Sequence, residues 1–250
     1  MAKKVFITGG TTGIGWELAK AYARSGCDVG VCGRDISKLP MGYDIDFPTI
    51  QAYGVDVTDA PALIAAVNEF APDGLDIIIA NAGIGVGSKK RDPNFEAQRK
   101  VFAINVGGVI NAFEAAYHKM FAKKSGHLVA IASVAGFVGL PGNGAYSGSK
   151  SAVIKMCESL QLDLKGTGLD VTCICPGFID TPLTKKNDHP MPFLMPAEKG
   201  AMLIKNAIDS KTKLFIFPWP MKIIMVLMDK MPRCLYRLIM GFQFANYSKE

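Results

Sequence analysis

The chain has 250 residues, of which 49% are hydrophobic and 20% are charged. This length and hydrophobic content predict one domain, or one domain with an appendage, built on a sizeable core, and they exclude a disordered chain. The 28 basic and 22 acidic residues give a net charge of +6, which tolerates anionic partners such as phosphates or a membrane surface without indicating nucleic acid.

A short apolar strand over residues 5–8 opens the chain and runs directly into a glycine-rich turn between Gly9 and Gly15. A helical pattern follows, and Gly26 is placed to end it. Such a strand, turn and helix receive a pyrophosphate, because backbone N–H groups point at the anion and glycines let it approach closely. The start of the chain therefore predicts a dinucleotide-binding site. Because no signal-peptide hydrophobic region precedes the strand, we also expect a cytoplasmic protein.

The second predicted strand, residues 28–32, ends at Gly33, Arg34 and Asp35. In a dinucleotide-binding fold this point faces the adenosine ribose, where an acidic residue takes the 2′-hydroxyl and an arginine accommodates a 2′-phosphate. Gly33 and Arg34 favour NADP(H) over NAD(H). The alternatives are a surface arginine that caps a turn, and recognition of NAD(H) by the neighbouring Asp35.

Strands and helices continue to alternate after this point. Pro40 predicts a loop that extends to Pro48, and a third strand lies within residues 49–57. A helix follows from Thr58 or Asp59, since both residue types are favoured at a helix N-cap.

The apolar run 75–80 is typical of a strand buried on both faces of a parallel sheet, and Asn81 follows at its end. The next helical pattern covers residues 95–123 but contains Asn105 and, directly after Val106, two glycines. Each of these residues is unfavourable inside a helix by up to about 1 kcal/mol relative to alanine. Either a contact compensates for them, or the segment is a break between two helices.

A strand over residues 128–133 ends at Ser133, and a helix begins near Ala145. Tyr146 and Lys150 are four residues apart, so this helix places the two side chains one turn apart on the same face. The pair alone is compatible with ordinary packing of the tyrosine and snorkelling of the lysine. With Ser133 at a neighbouring strand end, the three side chains are instead expected to meet in one cleft.

A further strand over residues 170–175 completes an alternating series of strands and helices. Such a series specifies an α/β fold, with a parallel sheet, helices on both faces and right-handed crossovers. We assign residues 1–190 to a Rossmann-like dinucleotide-binding and catalytic core. Residues 191–250 are assigned to a substrate lid and an apolar C-terminal extension of the same domain.

Six short motifs in this order resemble those of the single-domain short-chain dehydrogenases/reductases, over about residues 3–184. They are Thr8-Gly9-Gly10-Thr11-Thr12-Gly13-Ile14-Gly15, Asn81-Ala82-Gly83, Asn105, Ser133, Tyr146-x-x-x-Lys150 and Cys175-Pro176-Gly177. The resemblance implies a doubly wound parallel sheet of about seven strands with helices on both faces. It also implies assembly as a homodimer or homotetramer.

The resemblance further implies a role for each motif residue. Tyr146 is the general acid or base, and the Lys150 ammonium stabilises its phenolate and holds the nicotinamide ribose. Ser133 hydrogen-bonds the substrate carbonyl oxygen, and Asn105 supports a proton relay. The implied cofactor-binding residues are Gly9, Thr11, Thr12, Gly13, Ile14, Gly15, Arg34, Asp56, Val57, Asn81, Gly83, Tyr146, Lys150, Pro176, Gly177, Ile179 and Thr181. Thr12 departs from the pattern, because many NADP-preferring members place a second basic residue there.

These roles imply an NADPH-dependent carbonyl reductase that transfers hydride to a ketone or aldehyde. Within enzymes, the alternative is NAD-linked oxidation of a secondary alcohol such as a hydroxysteroid or hydroxyacyl compound. Outside enzymes, the alternative is a non-catalytic NADP-binding sensor, and retention of the serine, tyrosine and lysine disfavours it.

The region beyond Pro190 is unusually apolar. Its Met-, Phe- and Leu-rich segment 191–196 predicts a lid over an apolar substrate, and a helical stretch covers residues 198–210. The apolar run 214–242 is interrupted by prolines and charges, which exclude a transmembrane helix. It is interpreted as a helical flap on the subunit or its partner, as an amphipathic membrane-surface element, or as an extension of the substrate pocket. We favour a lipophilic carbonyl substrate delivered near a membrane or an oligomer surface.

The cysteines and histidines do not show metal-ligand spacing, so no metal is expected. The six cysteines are interpreted as reduced core residues; they are Cys27, Cys32, Cys157, Cys173, Cys175 and Cys234. The three histidines, His118, His127 and His189, are scattered. The densest basic run, Lys89-Lys90-Arg91, lacks interleaved aromatic residues, so we interpret it as a solvated loop and expect no nucleic-acid partner.

Overall fold

A parallel sheet of seven strands forms the centre of the computed structural model, which describes residues 2–87, 93–187 and 190–241. Its strands are β1 (Lys4–Thr8), β2 (Asp28–Gly33), β3 (Ile50–Gly54), β4 (Ile77–Ala80), β5 (Gly126–Ile131), β6 (Leu169–Pro176) and β9 (Leu214–Phe217), while β7 (Ile179–Asp180) and β8 (Met195–Pro196) form a separate pair. Their spatial order is β3-β2-β1-β4-β5-β6-β9. The strand order therefore reverses between β1 and β4, where doubly wound folds form a crevice at the carboxyl ends of the strands.

Two separate apolar cores cover the two faces of this sheet. The helices are α1 (Gly13–Arg24), α2 (Tyr43–Asp46), α3 (Ala60–Phe70), α4 (Phe95–Phe102), α5 (Gly108–Lys123), α6 (Gly144–Asp163), α7 (Ala197–Asp209), α8 (Trp219–Lys230) and α9 (Arg233–Met240). Helices α1 and α7 pack on one face, and α3, α5 and α6 pack on the other. The predicted doubly wound α/β fold with helices on both faces is confirmed.

The long helical segment predicted over residues 95–123 is continuous, but it changes its winding around Asn105. The chain passes from α4 into α5 through a π-helical turn, Ala103–Gly107. The Asn105 side chain is fully buried and hydrogen-bonds the backbone of Ile84. Gly108 is required because a β-carbon there would lie 2.7 Å from the Val57 Cγ2 atom. A buried contact and a close approach therefore compensate for the unfavourable residues.

Two parts of the sequence interpretation are wrong or incomplete. The segment between β2 and β3 is not a plain loop, since it contains a 3-10 turn (Ile36–Lys38) and α2. The turn forms because the Asp35 carboxylate accepts the Ser37 backbone N–H at 3.1 Å. At the other end of the sheet, the apolar run after α7 forms the seventh strand, β9, which pairs with β6.

The C-terminal extension is helical, as expected, and consists of α8 and α9. Met221 and Met225 of α8 pack against Val134 and Val138, which follow β5. Among the described residues, no helix has both the length and the apolar character that crossing a bilayer requires.

The expectation that all six cysteines are core residues is wrong for Cys234, which is exposed on α9. The other five cysteines are buried thiols. Three predictions concern residues outside the described ranges: the basic run Lys89-Lys90-Arg91, the histidine His189, and the chain from Phe242 onward.

Candidate active site

A cleft of about 280 Å³ opens at the carboxyl ends of the strands, around the point where the strand order reverses. It brings together all the predicted site residues except Gly15 and Asn105, which lie behind its walls. The predicted residues that line it are Gly9, Thr11, Thr12, Gly13, Ile14, Arg34, Asp56, Val57, Asn81, Gly83, Ser133, Tyr146, Lys150, Pro176, Gly177, Ile179 and Thr181. One continuous cleft thus contains residues from both halves of the sheet.

The glycine turn between β1 and α1 lines the middle of this cleft, because β1 lies between β2 and β4 in the sheet. Gly9 and Gly13 have φ angles of +63° and +56°, a backbone region that favours glycine. Helix α1 begins at Gly13, so its first backbone N–H groups have no partner within the helix. A side chain at Gly15 would collide with the Gly9 carbonyl oxygen and with Asn81 Nδ2, the latter at 2.6 Å. The turn is therefore shaped to leave backbone N–H groups for an anion.

Asn81, at the end of β4, holds this turn in place. Its Nδ2 donates to the carbonyl oxygens of Thr8 and Gly9, both at 3.0 Å. Its backbone N–H donates to Thr8 Oγ1 at 3.1 Å. These three hydrogen bonds join the ends of β1 and β4, so Asn81 fixes the floor of the cleft through contacts that no local sequence pattern contains.

Where the cleft reaches the ends of β2 and β3, two basic and two acidic side chains line it. Arg34 and Lys38 both line it. Asp35 also lies there, but its carboxylate accepts hydrogen bonds from the backbone and hydroxyl of Ser37 and lies 3.6 Å from Lys38 Nζ. The acidic residue is thus engaged in its own turn, while Arg34 remains available for a ligand. Lys38 was not predicted as a site residue, because it lies in a turn that reaches the cleft only in the folded chain.

Asp56 faces the same part of the cleft from the loop after β3. Burial raises the pKa of its carboxyl group, but hydrogen bonds from Thr58 and the nearby positive charge of Arg34 outweigh this effect and lower the pKa overall. Its Oδ1 accepts the Thr58 backbone N–H at 2.9 Å and the Thr58 hydroxyl at 2.8 Å. Asp56 is therefore a fixed anionic acceptor in the cleft wall.

Ser133, Tyr146 and Lys150 meet on the β5 side of the cleft, away from Arg34. Ser133 follows β5, and its hydroxyl lies near enough to the Tyr146 phenol to influence the pKa of that phenol. Tyr146 and Lys150 lie one turn apart on α6, and Lys150 Nζ is 5.9 Å from the centre of the tyrosine ring. Lys150 Nζ also donates to the Ile131 carbonyl oxygen at 2.7 Å. A hydroxyl, a phenol and an amine therefore share one small volume.

Burial decides the protonation of this trio. It raises the pKa of the Tyr146 phenol above its ordinary value, although the hydrogen bond from Ser133 opposes the shift. It also lowers the pKa of the Lys150 ammonium to about 8, against smaller opposing effects of Cys173 and Cys175. Tyr146 carries its proton at neutral pH, as a proton donor must.

Asn105 supports this arrangement from behind the cleft wall. Its Oδ1 accepts the Ile84 backbone N–H at 2.8 Å, and its Nδ2 donates to the Ile84 carbonyl oxygen and to Ser149 Oγ, both at 3.0 Å. Ser149 in turn donates to the Tyr146 carbonyl oxygen at 2.8 Å. Asn105 thus joins the loop after β4 to the helix that carries Tyr146 and Lys150.

Several apolar residues in the cleft were missed by the sequence analysis. Ile84 and Leu183 line it beside the trio, together with Pro182. Each follows a motif residue in a loop, and in a loop the hydrophobic periodicity does not indicate which side chains face the cleft. Their position directly after Asn81-Ala82-Gly83 and after Thr181 is the feature that would have indicated them.

The sequence of this chain is similar to a known protein family and to oxidoreductases of other organisms. The family model described as short chain dehydrogenase matches residues 3–192. An uncharacterised oxidoreductase from Myxococcus xanthus is 36% identical over 226 residues, which cover 88% of this chain and 89% of the relative.

Solved structures share the fold at low sequence identity. A short-chain dehydrogenase from Burkholderia cenocepacia in complex with NADP has a TM-score of 0.83 at 20% identity, covering 95% of this chain and 97% of its own. The structure of ElxO with NADP bound has a TM-score of 0.77 at 24% identity, and the match covers 86% of this chain and 97% of ElxO.

Proposed function

We propose that this chain, which belongs to the short-chain dehydrogenase family and is an oxidoreductase, is an NADPH-dependent carbonyl reductase with Tyr146 as its proton donor. The observation that carries the proposal is the meeting of Ser133, Tyr146 and Lys150 in a cleft that continues past a glycine turn to Arg34 at the end of β2. A hydroxyl and a protonated phenol can both approach one carbonyl oxygen there. Beside them the cleft continues along the glycine turn to Arg34.

The residues present fit a nicotinamide dinucleotide. The glycine turn and the N-terminus of α1 would receive the pyrophosphate, since unpaired N–H groups and the helix dipole favour an anion there. Asp56 and Val57 would line the adenine site, and Lys150 would hold the nicotinamide ribose. Ile179 and Thr181, which are both buried, would meet the carboxamide. When bound, the reduced cofactor supplies the hydride.

The chain's own residues then orient the carbonyl and deliver the proton. Ser133 donates a hydrogen bond to the carbonyl oxygen, which polarises the carbonyl and fixes its position. Tyr146 gives its proton to the same oxygen as negative charge develops there. The Lys150 ammonium, one turn away, stabilises the phenolate that remains. We treat Asn105 as a positioning residue, and the proton relay predicted for it stays a prediction.

The preference for NADP(H) over NAD(H) is supported by the charges at the end of β2. An arginine offers a bidentate fork that matches a phosphate, and Lys38 adds a second positive charge. Lys38, which lines the cleft near Arg34, would be the second basic residue in place of the one absent at Thr12. Asp35, the residue that would favour a free 2′-hydroxyl, is occupied by Ser37 and Lys38.

A lipophilic substrate is supported by the apolar side chains around the trio. Ile84 and Leu183 line the cleft. The lid segment presents the half-exposed side chains of Phe193 and Leu194 to solvent. Such surfaces favour an alkyl or ring-bearing ketone over a polar one, because burying apolar area contributes about 25 cal/mol per Å².

We further propose a homodimer or homotetramer in the cytoplasm. Exposed apolar side chains on α4, α5 and α6 support a subunit contact, because isolated domains rarely leave large apolar groups in contiguous patches. They are Phe102, Ile110, Phe121 and Leu162.

A reduction screen tests the proposal. The purified chain is incubated with NADPH or NADH and with aldehydes and ketones graded by chain length and ring content, and cofactor oxidation is followed by absorbance. We expect NADPH oxidation that increases with the apolar area of the carbonyl compound. Binding of NADPH without reduction of any carbonyl would favour the sensor, and oxidation of secondary alcohols with NAD⁺ alone would favour the alternative dehydrogenase.

A further inference from the structure

Helix α8 presents an apolar stripe to solvent on the side opposite its contact with the protein. Its exposed members are Trp219, Ile223, Ile224, Val226 and Leu227, most of which recur at helical spacing. Trp219 is 72% exposed and Leu227 is 62% exposed. The opposite side of the helix buries Met221 and Met225 against the residues after Ser133. The stripe is therefore not needed for packing within the described part of the chain.

Basic side chains accompany this stripe. Lys222 and Lys230 lie on α8, and Arg233 and Arg237 lie on α9, while Asp229 is the one acidic residue in the two helices. Asp229 lies 3.7 Å from Lys230 and 3.8 Å from Arg233. Within the described ranges, Lys222 and Arg237 form no ion pair. We name the stripe and these basic residues the C-terminal surface.

We propose that the C-terminal surface binds an anionic phospholipid bilayer, with α8 lying in the plane of the interface. A short helix with large apolar side chains on one face and lysine or arginine beside them is the form of an interfacial helix. Tryptophan favours the boundary between headgroups and acyl chains. The net positive charge matches an anionic leaflet, whereas two copies of this surface facing one another would repel. This proposal is independent of the reaction assigned to the cleft.

The binding surface is joined to the substrate side of the cleft. Met221 and Met225 pack on Val134 and Val138, directly after Ser133. The Tyr236 hydroxyl of α9 donates to the carbonyl oxygen of Gly139 in the same segment. Helix α8 thus lies between a bound bilayer and the segment that begins at Ser133. This position would allow a lipophilic substrate to pass from the bilayer to the cleft.

Vesicle flotation with the full chain tests the proposal. The vesicles contain phosphatidylcholine alone or phosphatidylcholine mixed with phosphatidylglycerol. We expect flotation with the mixed vesicles and release at high salt. Ile223→Ser combined with Leu227→Ser abolishes flotation. Lys222→Gln combined with Arg237→Gln weakens it about 30-fold, since each basic group near an anionic surface contributes about 1 kcal/mol.

Met41→Ser is the matched control, because Met41 is fully exposed elsewhere on the protein and its replacement removes a similar apolar area. Flotation of this variant equals that of the parent. Thermal unfolding of all variants is measured alongside, and the substituted residues are exposed enough that the folded state persists.

Tryptophan fluorescence gives a second readout. The chain has two tryptophans, and Trp16 is buried, so a change in emission on adding vesicles reports Trp219. We expect a blue shift of the emission with phosphatidylglycerol and quenching by brominated acyl chains. Three results would overturn the proposal: no flotation with either vesicle, equal flotation without anionic lipid, or a lower solution mass for the Ile223 and Leu227 variant, which would show that a second copy covers the surface.

Discussion

Replacing Asn105 with alanine removes a buried hub that joins two walls of the cleft. The wild-type side chain makes three hydrogen bonds of 2.8 to 3.0 Å and is fully shielded from solvent. Alanine leaves the Ile84 N–H and carbonyl without these partners, and each buried polar group left unpaired costs about 1–3 kcal/mol. With partial relaxation, we expect the free energy of unfolding to fall by about 3 kcal/mol. For a domain of this size that corresponds to a melting temperature lower by about 6–12 °C.

Urea and thermal unfolding followed by circular dichroism measure this change. Asn111→Ala is the control, because Asn111 lies on the same helical segment and its amide makes one hydrogen bond, to the Val57 carbonyl oxygen at 2.8 Å. That variant is expected to lose about 1 kcal/mol. The turnover number of Asn105→Ala also falls, because Ile84 and the helix carrying Tyr146 lose their common support. Equal losses of stability in the two variants would refute the assignment of Asn105 as a hub.

Three further perturbations test the charges and the glycine turn. Burial lowers the pKa of Lys150 from 10.5 to about 8, so between these values the unfolded chain binds more protons than the folded chain and stability rises with pH. Urea titrations are expected to show that the free energy of unfolding rises by about 1 kcal/mol from pH 7 to pH 9, and that this rise is absent in Lys150→Met. Over the same pH range the reduction rate is expected to fall, because the Lys150 ammonium loses its proton. Gly15→Ala places a β-carbon 2.6 Å from Asn81 Nδ2, so we expect it to lower the free energy of unfolding by about 1–3 kcal/mol and to weaken NADPH binding in fluorescence titrations. Gly54→Ala is the control, because a β-carbon there meets open space. Arg34→Ala weakens NADPH binding by about 10- to 100-fold, the loss of a charge-assisted hydrogen bond, and leaves NADH binding unchanged; equal effects on both cofactors would remove the reason for preferring NADP(H).

Local patterns were sufficient for the elements that carry the trio. Tyr146 and Lys150 share a helix, so their relation depends only on spacing, and Ser133 ends an apolar run that has to be a buried strand. The glycine turn was equally legible, because positive φ angles at Gly9 and Gly13 leave few alternatives to glycine. These parts of the fold and of the candidate site follow from short-range rules.

The remaining features depend on contacts between distant residues. Asn105 was recognised as anomalous, but its partners Ile84 and Ser149 are 21 and 44 residues away. The strand β9 was not recognised, because an edge strand next to two prolines resembles a loop until β6 is present to pair with it. Lys38 and Leu183 line the cleft from a turn and a loop, where side-chain direction is set by tertiary structure. Such residues can be assigned to the cleft only when the order of the strands in the sheet is known.

The central claim is that Tyr146 gives its proton to a substrate carbonyl, and Tyr146→Phe tests it most directly. The variant keeps the aromatic ring beside Lys150 and removes only the phenolic oxygen, so NADPH affinity measured by fluorescence titration should be unchanged. With the best carbonyl compound from the screen, we expect the turnover number to fall by about 10²- to 10⁴-fold, the usual contribution of a positioned general acid. A Tyr146→Phe variant that binds NADPH and reduces that compound at the parent rate would contradict the mechanism.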